Sequence, residues 1–572
     1  MSASGSTPAN RTVDVIVAGS GHNGLISAAY LAKAGLQVQV LEAYKTPGGM
    51  TSTTEVEECP GYQVNDASIQ PSLFRTTTIM KDLQLEERYG LRMRVIDPVH
   101  LQLNYDHTSL GLWRDAQKTA DELAYFSKKD AAALKDLYSI IHAAVDIGIP
   151  MMQTSPTRPE PKAIFELAKQ SLKHRSELRA VGRWMRATEI EVLDESFESD
   201  PIKACVLIGL PFMSYDSDFA GWSLIYLGII TKYGVAMFEG GTQQLPNALI
   251  NLITAHGGSI RCNAEVEQMV MRNGRCVGVR LKNGEEIYAR RGVLTAFAPK
   301  RVLRDMLPAG TLPPHLANRV ANIPTRSRGF ADMKLDVLTK GQIRMDKIKA
   351  KRKDNLDPRL PANGYHNYEQ VKAAQIACKR GEMPQHIPGL AQISTALASN
   401  SHFAPPGGDV FWFWSGLTPN DPHMGWEAAK KQAAETIISQ SDHYYEGLEE
   451  LNIYSRVRML PDIEERFFAM DGSVYHTDPL ITRFGPNKPA VGFAGYSTPI
   501  PGLFLTGSGT HPVAGISGMP GQNAAKTMLK VFAREDRKGK GNHALEEHRL
   551  WESVETADAY KTTRGDSSTA KS

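Results

Sequence analysis

The chain has 572 residues, 65 Lys and Arg against 62 Asp and Glu for a net charge of +3, and 42 % hydrophobic residues. These values exclude wholesale disorder, a collagen-like chain and a coiled coil, and the near balance of charge leaves no footprint for nucleic acid. At about 150 residues per domain the length suggests about four domains. Cys59, Cys205, Cys262, Cys276 and Cys378 are scattered with no CxxC pair. That argues against a structural zinc site and a disulfide framework, so no metal is expected, and it fits a reducing compartment.

Met1 to Arg11 is small and polar, with one Arg and no apolar core of a signal peptide. No run of about 18 apolar residues occurs, so no spanning helix is expected and the protein reads as cytoplasmic. The most apolar stretches, Cys205–Met213 and Leu224–Ile230, are short and read as buried helices or a cavity wall.

Val13–Ala18 reads as a buried strand, Gly19–Gly24 as a glycine turn, Leu25–Ala34 as a helix of small and apolar residues, and Gln37–Glu42 as a second strand. This is a βαβ unit of about 30 residues. A long mixed region follows, from about residue 65 to 235, with a helical stretch from Ile164 to Met185 that carries a basic side. Gln244–Ala255 reads as a helix ended by Gly257-Gly258. Strand-like runs follow at Ser259–Cys262, Glu265–Met271, Cys276–Leu281 and Glu286–Ala289, with Asn273-Gly274 and Asn283-Gly284 marking two hairpins. Gly292–Ala296 reads as a strand re-entering the first domain. A second mixed region spans about 300 to 480 and holds the basic run Arg344–Lys353. Leu503–Thr506 is a late strand, and a helix is expected from about Gly521 to Phe532. The polar end, residues 536–572, reads as a disordered tail.

Gly19, Gly21 and Gly24 form G-x-G-x-x-G between a strand and a helix. In that context the first glycine permits the turn, the second lets backbone approach a pyrophosphate, and the third allows close helix–strand packing. The pyrophosphate sits on the helix N-terminus, beside His22 and Asn23, where free N–H groups and the dipole favour an anion. Glu42 ends the second strand, where a carboxylate accepts hydrogen bonds from a ribose diol, with Ala43 next to it. Gly48-Gly49-Met50 follows, and a glycine pair here lets the chain pass close to a cofactor.

At this place the sequence resembles the glutathione-reductase-like FAD proteins, above all their amine-oxidase and phytoene-desaturase branch. The second hallmark is the late segment Gly502–Pro512 followed by Gly515–Ala525. Gly21–Gly24, Glu239–Gly241 and Gly507–Ala525 make the match closest to the phytoene dehydrogenase-related proteins, including their pyridine nucleotide-disulfide oxidoreductase domain-containing relatives. The resemblance implies an α/β fold: a discontinuous Rossmann-like FAD-binding domain (10–65, 235–300 and 485–535) with an interleaved mixed α+β substrate domain (66–234 and 301–484). It implies FAD as cofactor, with Gly507, Ser508, Gly518, Met519 and Gln522 covering the flavin end and the Val266 backbone beside the adenine. Many carotenoid desaturases and amine oxidases carry Arg directly after the glycine pair; Met50 stands there in this chain. The lack of a second G-x-G-x-x-G module argues against bound NAD(P)H.

His511, in the flavin-end loop, reads as a proton donor or acceptor, or as a residue that orders the loop. His22 reads as packing at the helix terminus. Tyr215, Asp216, Asp218, Tyr226 and Tyr233 are candidates for a substrate cavity, and the basic helix Lys162–Arg186 for contact with an anionic membrane. The expected activity is an FAD-dependent dehydrogenase or desaturase that takes a hydride from a C–H bond of an apolar, polyene or isoprenoid-like substrate, reoxidised by oxygen or a quinone. An amine oxidase acting on a C–N bond, and a non-catalytic binding protein like the Rab-escort proteins, are the alternatives.

Overall fold

The apolar run Val13–Ala18 forms a strand, and the chain turns at Gly19 into the helix His22–Lys33 and returns as the strand Val38–Leu41. The computed structural model describes residues 12–208, 221–327, 329–363, 367–397 and 403–539. Both strands lie parallel, with Val15 beside Val38 and Ala18 beside Leu41. Parallel strands of this kind bury both faces, so they read as continuous hydrophobic runs rather than alternating ones.

This unit sits in a seven-stranded sheet whose order runs Val266–Arg272, Arg275–Leu281, Glu286–Thr295, Val13–Ala18, Val38–Leu41, Ser259–Arg261, with Leu503–Leu505 also paired to Glu286–Thr295. The two Asn-Gly pairs turn where expected, with Asn273 and Gly274 both at positive φ in the first turn. One expectation is corrected. The runs Glu286–Ala289 and Gly292–Ala296 are a single strand, Glu286–Thr295. Its first part pairs antiparallel with Arg275–Leu281, and its second pairs parallel with Val13–Ala18. Arg290 does not break it, because its guanidinium reaches Asp14 and the Thr12 carbonyl at the start of the neighbouring strand.

A second seven-stranded sheet runs Asn452–Arg458, Phe330–Thr339, Asp409–Pro419, Leu390–Ile393, Ala362–Asn363, His100–Leu103, Ser109–Leu112. Its side chains alternate between two unlike faces. Met333, Leu335 and Val337 share a face with Phe411 and Phe413, and they pack on the helix Trp426–Asp442 through Ala429, Ala433 and Ile437. The other face carries Asp332, Lys334 and Asp336 beside Trp414 and Trp412, with Arg458 opposite Lys334 and Arg456 opposite Asp336.

The long helical stretch expected over 164–185 is two helices, Pro161–Lys173 and Leu178–Trp184. The break falls at His174, whose Nε2 lies 3.0 Å from Asp146 Oδ2 on the neighbouring helix Lys128–Met152. That tertiary anchor overrides local helical periodicity. The apolar stretch ending in Ile230 is a buried helix, Gly221–Tyr233. In the basic run 344–353, Asp346–Lys351 is a largely exposed helix, but Arg352 is buried and paired to Glu122 at 2.9 Å and Asp354 at 2.7 Å.

The chain up to Ala525 forms one compact unit. Residues from Lys526 form a second, of which 526–539 are described and helical. The helix Met519–Gly539 continues past residue 536, where the polar tail was expected to begin. The rest of that expectation, 540–572, lies outside the described residues. None of the described helices is long and apolar enough to cross a membrane.

Candidate FAD site

The turn after the first strand is shaped for close backbone approach. Gly19 has φ +97°, a conformation that costs a residue with a Cβ. A Cβ on Gly24 would stand 2.3 Å from the Gly19 carbonyl oxygen, so the helix starts this tightly only with glycine. A Cβ on Gly21 would meet nothing within 4 Å. Gly21 is the N-cap of the helix, with no side-chain cap and no acidic residue in the first turn. The first N–H groups of a helix have no partner within it, so this terminus presents donors and a positive dipole end to an anion.

Glu42 follows the second strand and is buried. Its Oε2 accepts from the Ser20 backbone N–H at 3.0 Å and from the Ser20 hydroxyl, and its Oε1 accepts from Tyr44 N–H at 3.0 Å. A carboxylate offers about four acceptor positions, so it retains capacity for a ribose hydroxyl. Ser20 Oγ in turn accepts from Gly48 N–H at 3.1 Å, which ties the Gly48-Gly49 turn to the first one. A Cβ on Gly49 would sit 3.2 Å from Gly21 Cα.

These groups line one cleft with about 1250 Å³ of empty space, its open mouth included. Gly19, Gly21, His22, Asn23, Gly24, Glu42, Ala43, Gly49, Met50, Gly507 and Ser508 all stand in its wall. Burial holds His22 neutral, its pKa lowered to about 4. Its Nε2 lies 3.0 Å from the Asn23 amide nitrogen, which donates to it.

Five expected residues stand outside the lining. Gly48 supports the turn from behind, where a Cβ would meet Pro246 at 2.9 Å. The Val266 side chain packs in the core with Ile16, Ala18 and Leu41. Gly518 packs on Ile26, Ile79 and Phe74, and Met519 is fully buried. Gln522 Nε2 donates to Tyr30 at 2.8 Å and Asp82 at 3.0 Å. The last three therefore hold the first helix against the late turn, since Gly521 N–H also donates to Asn23 Oδ1 and Ser27 donates to the Gly521 carbonyl.

His511 does not reach the cleft wall either. Its Nε2 lies 3.1 Å from the Met151 carbonyl, and burial lowers its pKa to about 4. Its own carbonyl accepts from Tyr496 at 2.8 Å. The first bond ties the 507–515 loop to the helix Lys128–Met152, and the second ties it to Tyr496. Tyr226 is buried in the helical core and Tyr233 is half-buried, both away from the lining. Tyr215, Asp216 and Asp218 lie outside the described residues.

The far end of the cleft comes from residues that sequence reasoning passed over. Trp412 and Trp414, on the Asp409–Pro419 strand, stack with centroids 6.0 Å apart and an interplanar angle of 18°. Their i, i+2 spacing against Phe411 and Phe413 is a period-2 signal that was there to be read. Ile69, Leu390, Val474 and Tyr475 add apolar wall. His476 also lines the cleft, near His22 of the first turn and beside Gly509, and neither of its ring nitrogens has a hydrogen-bond partner among the described residues. Burial lowers its pKa to about 4, helped by the nearby Lys488, itself buried and lowered to about 7. The Gln70 amide nitrogen is likewise buried without a partner at the wall.

An ion cluster reaches the cleft wall through Arg466. Asp66 accepts from Arg458 at 3.1 Å and Arg466 at 2.8 Å, and from Ser52 and Thr54 at 2.7 and 2.9 Å. Burial alone would raise its carboxyl, but the two guanidinium groups outweigh it and hold the pKa at about 2. Arg466 also lies 4.5 Å over the ring of Tyr44, two residues after Glu42. Among the described residues no group of three His, Cys, Asp or Glu is arranged to hold a metal ion.

The open Gly21, the uncapped helix terminus, the carboxylate at the strand end and the orphaned nitrogens of His476 and Gln70 fit a long polar dinucleotide with a ring system at the far end. The comparisons agree. The flavin containing amine oxidoreductase family matches residues 24–328. The chain is 27 % identical to pyridine nucleotide-disulfide oxidoreductase domain-containing protein 2 of Mus musculus, over 90 % of this chain and 93 % of that protein. It is 25 % identical to a limonene dehydrogenase polypeptide of Castellaniella defragrans, over 90 % and 94 %. The solved structure of cyclohexylamine oxidase from Brevibacterium oxydans shares the fold, with a TM-score of 0.54 at 16 % identity over 91 % of this chain and 100 % of that one. The chain belongs to the flavin containing amine oxidoreductase family and is an FAD-dependent oxidoreductase.

Proposed function

We propose that the protein is a dehydrogenase or desaturase that removes a hydride from a C–H bond of an apolar, polyene or isoprenoid-like substrate, in the manner of the phytoene desaturases. The observation that carries this reading is the apolar and aromatic end of the cleft, where Trp412, Trp414, Ile69, Leu390 and Val474 form the wall. The limonene dehydrogenase relative, whose name gives an isoprenoid hydrocarbon as its substrate, points the same way. When bound, FAD would supply a hydride acceptor at N5 and pass the electrons on to oxygen or a quinone, while the proton lost from the neighbouring carbon leaves to water.

The chain's own residues do the positioning. The helix terminus at Gly21 and Glu42 hold the dinucleotide. The tryptophan pair and its apolar neighbours would hold the substrate bond against the acceptor and exclude water. His476, held neutral by burial, offers its ring nitrogens as hydrogen-bonding groups in the cleft near His22. In this reading segments 10–65, 235–300 and 485–535 carry the cofactor, and 66–234 and 301–484 carry the substrate.

The stacked Trp412–Trp414 pair favours a second reading, oxidation of a C–N bond, because aromatic faces attract a substrate cation. Anaerobic mixing of the flavin-loaded protein with polyenes and isoprenoids, and separately with amines, decides between them. The proposal expects the visible flavin band to bleach with the first set. Bleaching with amines alone sinks it.

A further inference from the structure

The helix Pro161–Lys173 lies on the surface and buries none of its side chains. Ile164 is 50 % exposed, Phe165 66 % and Leu172 75 %. At about 100° per residue, Ile164, Ala168, Leu172 and Phe165 fall within an arc of roughly 100°. Lys169, Lys162 and Lys173 fall within the adjoining roughly 40°. After the break at His174 the exposed series continues with Arg175, Leu178, Arg179, Arg183 and Arg186. Residues 161–186 carry seven Lys and Arg against two Glu, a surplus of five, while the whole chain has a net charge of only +3. Lys169, Lys173 and Arg183 are paired to Glu166, Asp146 and Glu195. Lys162, Arg175 and Arg179 have no ion pair among the described residues.

We infer that residues 161–186 form a docking surface for an anionic lipid bilayer, with Ile164, Phe165 and Leu172 seated in the headgroup boundary. Large apolar side chains on one arc with long cationic side chains beside them match an interfacial helix, whose apolar face sits about 5–10 Å deep while Lys and Arg reach the phosphates. A protein partner fits less well, because the cores of protein interfaces are depleted in Lys, and here three lysines border the apolar arc directly. The helix packs on Lys128–Met152, whose Met151 and Met152 carbonyls bond His511 in the late turn and Asn523 in the helix Met519–Gly539. The docking surface is thus one helix away from the loop at the cleft.

The test is co-sedimentation of the full-length, FAD-loaded protein with vesicles of phosphatidylcholine containing about 30 mol % phosphatidylserine, against phosphatidylcholine alone. Partition into the anionic vesicles is expected to exceed that into neutral ones by at least about tenfold, and to fall similarly at about 0.5 M salt. Phe165→Glu with Leu172→Glu is expected to lower it about tenfold or more. Lys162→Glu, Arg175→Glu and Arg179→Glu together are expected to lower it by on the order of a hundredfold, at about fivefold per cation. All these positions are exposed, so the flavin spectrum and melting temperature stay unchanged. Equal partition into neutral vesicles overturns the inference. So does anionic binding that survives both sets of substitutions, which places the contact elsewhere. Loss of self-association in the variants, with no vesicle binding by the parent, assigns the surface to a second copy of the chain instead.

Discussion

At the scale of single residues, two glycines three positions apart separate fold from cofactor. A side chain at Gly21 enters open cleft, whereas one at Gly24 strikes the Gly19 carbonyl. Gly21→Val is therefore expected to fold with an unchanged melting temperature in the absence of FAD and to purify without the flavin absorbance. Gly24→Ala is expected to lose about 1–3 kcal/mol of stability in denaturant titration. Asp66→Asn leaves Arg458 and Arg466 without their carboxylate, and a loss of about 3–5 kcal/mol is expected. The Asp66 pKa is lowered in the folded chain, to about 2. Its stabilisation is therefore present above the ordinary carboxylate value and is lost as pH falls through about 2. His511 gives the opposite test of a role. With its pKa lowered to about 4, the unfolded chain binds a proton that the native chain refuses between pH 6.5 and 4, so stability falls with pH across that window. His511→Asn keeps a donor toward Met151 and removes the titration. It should flatten that slope by about one proton, or about 1.4 kcal/mol per pH unit. Turnover should stay within severalfold of the parent; a loss of about a hundredfold would restore His511 as an acid–base residue.

At the scale of elements, the strand Asp409–Pro419 shows what local pattern carries and what it omits. Its alternation marks Trp412 and Trp414 as sharing one face and Phe411 and Phe413 the other. Which face meets the cleft depends on the partners that pair with the strand and on the helix Trp426–Asp442 covering the phenylalanines. Trp412→Ala is expected to leave FAD binding intact and to weaken substrate binding by about ten- to a hundredfold, read as a raised KM or a raised substrate concentration for half-maximal bleaching. The order of the βαβ unit was legible, because strand, glycine turn and helix each carry a strong local signal, but its bounds were not: the helix begins at His22, inside the expected turn, and the second strand is Val38–Leu41. Nor was the division of the helix expected over 164–185. The contact of His174 with Asp146 that divides it joins residues 28 positions apart on different helices.

At the scale of the whole molecule, ligand binding and stability are linked. FAD that binds only the folded chain stabilises it by about 2.7 kcal/mol at a hundred times its Kd. The melting temperature of flavin-free protein is therefore expected to rise with added FAD, and the rise should vanish in Gly21→Val. The sequence by itself determined the dinucleotide turn, the acidic residue after the second strand and the return of a late glycine segment. Each rests on backbone geometry that only certain residues at fixed spacing permit. Only the tertiary structure decided that Trp412, Trp414 and His476 complete the cleft, that Asp66, Arg458 and Arg466 brace it, and that His511 is bound to a neighbouring helix. These residues lie in four stretches of the chain, from 66 to 511. Local pattern specifies the elements, and long-range packing selects which of their side chains meet.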